Sequence, residues 1–87
     1  MKVVAKPIEM AAWFTRDGIP HPIKFRIVNE DESYTVIKID KIICTHTEKL
    51  AGNCMYVFRC QSVVEGIERI FEIKYEISTC RWILFKI

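Results

Sequence analysis

Ile67-Glu68-Arg69-Ile70-Phe71-Glu72-Ile73-Lys74-Tyr75-Glu76-Ile77 decides the fold class of this chain. Phe71, Ile73, Tyr75 and Ile77 fall on one side, and Glu68, Glu72, Lys74 and Glu76 on the other. A repeat of two is the signature of a strand with one dry and one wet face, the usual state of antiparallel sheet. The same texture recurs in both directions. Cys54–Val63 places Cys54, Tyr56, Phe58 and Cys60 on one face, and Ile23–Val28 sets Ile23, Phe25 and Ile27 against Lys24 and Arg26. Tyr34–Ile43 is rich in β-branched residues with apolar side chains on both faces, and Lys6–Thr15 and Arg81–Ile87 complete a set of six expected strands.

The punctuation between these runs agrees. Arg16-Asp17-Gly18, Val64-Glu65-Gly66 and Ser78-Thr79-Cys80 read as turns, Asn29–Ser33 as a polar connection, and Pro20 and Pro22 keep their neighbourhood extended. Pro7 belongs at a strand start or on a sheet edge, where its missing N–H breaks no ladder. Thr45–Gly52 interrupts the alternation. Thr45 with Glu48 fits a capping box and Gly52 a helix stop, which predicts a helical turn over Thr47–Ala51. The expected fold is therefore all-β. It is a six-stranded antiparallel meander, curled into a bent sheet or small barrel so that neither face is left bare, with at most one short helical turn.

The chain has 87 residues, room for one domain over 1–87 with one modest core. Hydrophobic residues make up 51% and charged residues 28%, a globular balance. The net charge of +2 lacks the strong basic excess of a dedicated nucleic-acid binder. Met1–Val28 is locally more basic, with Lys2, Lys6, Arg16, Lys24 and Arg26 against Glu9 and Asp17. No apolar run is long enough for a signal-peptide core or a membrane span, so the expectation is a cytoplasmic protein with reduced thiols and no membrane contact.

The chemistry-bearing residues form no catalytic constellation. Cys44, Cys54, Cys60 and Cys80 contain no Cys-x-x-Cys pair. Cys54 and Cys60 lie roughly 20 Å apart along one strand, too far to share an ion. They read as small hydrophobes, with Cys80 in a turn as the one candidate for an exposed, redox-sensitive thiol. His21 and His46 fall in expected loops, and a Cys44/His46 pair has nothing to complete it. Glu68, Glu72 and Glu76 stand about 13 Å apart in succession, which suits cross-strand pairing with Arg59, Arg81 or Lys86 better than acid–base work. Gly18, Gly52 and Gly66 are isolated, so no phosphate loop can be built. No enzyme activity, cofactor or metal is expected.

What remains is binding. One reading is a protein-interaction module that uses edge strands and apolar residues left exposed on two-faced strands, such as Val57, Ile70 and Ile83. Open edges also admit a homodimer. The alternative is single-stranded nucleic-acid binding by Lys24, Arg26, Lys38 and Arg59 beside aromatic rings. The two separate on Trp13 and Trp82: burial argues against nucleic acid, and a row of exposed rings beside arginines argues for it.

A resemblance bears on this. Gly18-Ile19-Pro20, Ile23-Lys24-Phe25-Arg26, Tyr34-x-Val36-x-x-Ile39-Asp40, Tyr56-x-Phe58-Arg59, Phe71-Glu72-Ile73 and Arg81-Trp82-x-Leu84 together resemble a family of small bacterial β domains of unknown function. Relatives of that family also form tails on proteins similar to the inactive Y-family polymerase partner of mutagenic repair. The chain departs from the pattern at Cys44-Thr45, where a Trp would follow the Ile-Asp segment. The resemblance implies an accessory or binding module in a DNA-repair setting and supplies no catalytic residues.

Overall fold

The computed structural model describes all 87 residues. Seven strands make one antiparallel sheet: β1 (Val3–Phe14), β2 (Pro20–Val28), β3 (Tyr34–Lys38), β4 (Lys41–Leu50), β5 (Asn53–Val64), β6 (Ile67–Glu76) and β7 (Arg81–Lys86). Their spatial order is β3-β2-β1-β7-β6-β5-β4, and the sheet curls strongly into a half-barrel with no helix. The all-β antiparallel expectation holds, with two corrections. Tyr34–Ile43 is two strands rather than one, and Thr45–Gly52 is strand and turn rather than helix.

Both corrections have local causes. The chain leaves β3 at Ile39-Asp40 because Asp40 is pinned to β5. Its N–H donates to the Gln61 carbonyl at 3.1 Å, and its carboxylate accepts the Val63 N–H at 2.9 Å. A two-residue corner thus joins the two outermost strands of the sheet, which forces the curl. In Thr45–Leu50 cross-strand pairing wins over the capping signal, with Thr45 and Thr47 standing opposite Phe58 and Tyr56 on β5. Ala51 and Gly52, at φ of +50° and +83°, form the tight turn whose two left-handed residues match strand twist.

β1 is the hinge of the curl. Its first half pairs with β7 and its second half, from Glu9 onward, with β2. Pro7 falls just before the β2 pairing begins, opposite Ile83, so its missing N–H costs no ladder bond on the open side. Phe25 and Ile37 from β2 and β3 close over Phe58, Cys60, Phe71, Ile73, Tyr75, Trp82 and Leu84 from the larger part of the sheet. Phe25 meets Phe71 edge-on, with centroids 5.6 Å apart.

The outward side of β5–β7 holds a second, smaller buried site. Lys74, expected on the wet face, is only 8% exposed, and its neighbour Val57 only 1%. The Lys74 ammonium bonds the Glu48 carboxylate at 2.9 Å and lies 3.7 Å from the centre of the Phe85 ring. Of the three apolar residues expected to be exposed, Val57 is therefore buried, Ile83 half-buried and Ile70 exposed.

Candidate binding face on β1–β2–β3

The outward face of the three-stranded part carries most of the unassigned chemistry. Lys24, Arg26 and Val28 on β2 stand directly opposite Lys38, Val36 and Tyr34 on β3. Across β1, Glu9 opposes Arg26 and Ala11 opposes Lys24. An open groove of about 370 Å³ follows this face and is lined in part by Glu9, Lys24, Arg26 and Val36. Val36 is 63% exposed and Tyr34 54%.

Two ring stacks bracket the face. Trp13, 53% exposed, lies flat on His21 with centroids 4.1 Å apart. The Arg26 guanidinium sits 4.1 Å over the Tyr34 ring and grips Glu9 through two hydrogen bonds of 3.0 and 3.2 Å. That carboxylate raises the Arg26 pKa and neutralises its charge locally. Lys24 and Lys38 have no such partner, because the ion pairs of the molecule are Arg26–Glu9, Lys74–Glu48 and Lys86–Glu72.

The free edge of β3 follows from its hydrogen-bond phase. Asn29 N–H donates to the Ser33 carbonyl, and Ile39 N–H to the Ile23 carbonyl. With the observed register, the pairs Lys24/Lys38, Arg26/Val36 and Val28/Tyr34 are then the non-hydrogen-bonded ones. The N–H and C=O groups of Tyr34, Val36 and Lys38 therefore point away from β2, outward from the sheet. β4, the other edge, offers Thr45, Thr47 and Lys49 at the corresponding positions and is kinked by a bulge between Ile42 and Cys44.

Three of the four basic residues expected to act together, Lys24, Arg26 and Lys38, do share this face. Arg59 does not: it lies on β5 between Cys44 and Glu72, in the other part of the sheet. The two tryptophans split, with Trp82 buried in the core and Trp13 exposed. The free edge of β3 escaped the sequence reading because Tyr34–Ile43 read as one strand. A signal exists in Lys38-Ile39-Asp40-Lys41, three charged residues in four between two β-branched stretches.

Elsewhere, no three His, Cys, Asp or Glu side chains come together in metal-binding geometry. Cys44, Cys54 and Cys80 are exposed, while burial pushes the Cys60 thiol up to about 12. His46, expected in a loop, lies on β4 opposite Val57, and His21 lies on β2. Of the glutamates, Glu72 pairs with Lys86 at 3.9 Å, and Glu68 accepts a hydrogen bond from Gln61. Glu76 accepts from Thr79 and Asn53, which hold its carboxyl below the usual range. A scan of protein-family models and searches of curated proteins and of solved structures find no match to this chain.

Proposed function

We propose that this chain is a non-enzymatic interaction module that receives a protein partner on the β3 edge and the adjoining face of β1–β2–β3. The observation that carries the reading is the edge itself. Its outward N–H and C=O groups stand beside Val36 and Tyr34, both more than half exposed. Backbone groups of that kind give affinity to an added strand, and the flanking side chains give selectivity. The resemblance described above fits the same role, that of an accessory domain in a bacterial cytoplasm serving mutagenic repair.

Single-stranded nucleic acid is the second reading, favoured by the open face of Trp13 beside Lys24, Arg26 and Lys38. It is the poorer fit. Arg26 is already neutralised, and Glu9 would repel a phosphate chain entering the groove.

Display selection of short peptides on the folded domain, followed by amide-shift mapping of the enriched ones, tests the proposal. Shifts centred on Tyr34–Lys38 are expected. Shifts confined to β4, or no enrichment, would overturn it.

A further inference from the structure

Resting on that reading of the β3 edge, we propose that the strand it accepts is acidic: an extended peptide alternating carboxylate and apolar side chains, added as an eighth strand with carboxylates beside Lys38 and Lys24. The argument starts from the lysine pair. Lys24 and Lys38 are cross-strand partners in a non-hydrogen-bonded pair, where Cα atoms approach to about 4.5 Å. Like charges so placed repel and weaken the sheet. No carboxylate in the chain bridges either lysine. A strand docked about 4.8 Å beyond β3 would bring a glutamate within reach of both ammonium groups. Side chains two apart share a face, so the carboxylates of that strand would line Lys38 and Val36, and its apolar residues would turn to the inner face beside Ile37 at the rim of the core.

Charge also sorts the competing occupants. A second copy of this chain, paired edge to edge, would offer those lysines only the residues of its own β3, Tyr34–Lys38, which include no carboxylate. A nucleic acid would meet Glu9 and find only two free cations on the face, whereas the outward N–H and C=O row matches a peptide backbone. The chain turns out of β3 at Ile39-Asp40 and packs onto β5 there, so the added strand enters from the Tyr34 end.

The test titrates the isotopically labelled full chain with four probes. These are a blocked nonapeptide alternating Glu and Val, its Lys/Val twin, the Glu/Val peptide with a central proline, and an oligothymidylate. The Glu/Val peptide should shift the Tyr34, Val36 and Lys38 amides and bind about tenfold more tightly than the Lys/Val twin, the preference shrinking as salt rises. Lys38→Glu should erase that preference while edge binding persists. Val36→Pro, which removes an N–H that β2 does not use, should abolish binding by both peptides. The Glu/Val peptide with a central proline serves the same purpose from the ligand side, should the Val36→Pro change disturb β3: it should bind the unaltered chain far more weakly than the Glu/Val peptide without proline.

Equal binding of both peptides at β3 overturns the acidic partner and leaves the edge reading standing. No shift at β3 with either peptide overturns both. Tighter binding of the oligothymidylate, or a concentration-dependent dimer formed through β3, also overturns the proposal.

Discussion

Ala51 occupies a backbone state that alanine resists. Its φ of +50° opens the β4–β5 turn, and the left-handed region costs a side chain with a Cβ about 1–2 kcal/mol. Gly52 beside it adopts the same state freely. Asparagine is the residue that turns of this type prefer at the first position. Ala51→Asn should therefore stabilise the domain by about 0.5–1 kcal/mol, read as an upward shift of the urea midpoint without a change in slope. An unchanged or lowered midpoint would contradict the turn geometry. Gly52 itself was visible in the sequence as a terminator. What it terminates was not, because a helix stop and a tight hairpin both ask for a left-handed residue.

The β4–β5–β6 ladder contains the one charged group that alternation misplaced. Lys74 obeys the repeat of two, yet it is covered, because Glu48 from β4 and Phe85 from β7 close over it. Periodicity reports which way a side chain points. It does not report what neighbouring strands lay on top of it, and the register that brings Glu48 to Lys74 across β5 is a property of the sheet. Removing one partner from a largely buried pair leaves the other uncompensated. Glu48→Ala should cost about 1–3 kcal/mol, whereas Lys74→Met with Glu48→Gln should cost much less than the sum of the single changes. A chemical-denaturation double-mutant cycle measures this, and additive losses would show that the two side chains do not act as a unit. The candidate face was half legible in the same way. Lys24, Arg26 and Lys38 were readable as basic positions on alternating strands, but their neutralisation state and the separation of Arg59 depend on pairing that no local pattern encodes.

Taken whole, the molecule is a sheet whose two edges spring from one corner, Ile39-Asp40, and whose middle is sewn by the chain ends. Lys2 and Ile87 exchange backbone hydrogen bonds of 2.8 and 3.0 Å, beside the β1–β7 pairing. Every other neighbour in the sheet is also a neighbour in sequence. Consequently the covalent order is one of several that would serve the same architecture. A circular permutant in which a short linker joins Ile87 to Met1 and new termini open between Ile39 and Asp40 would run β4 to β3 as an unbroken up-and-down ribbon. It should reach the same near-ultraviolet dichroism spectrum, and refold faster in stopped-flow measurements, because the one distant strand pairing becomes local and its loop-closure entropy largely disappears. A permutant that stays unfolded would mean that the Ile39-Asp40 link is needed to bend the sheet, and that the ends cannot take over its job.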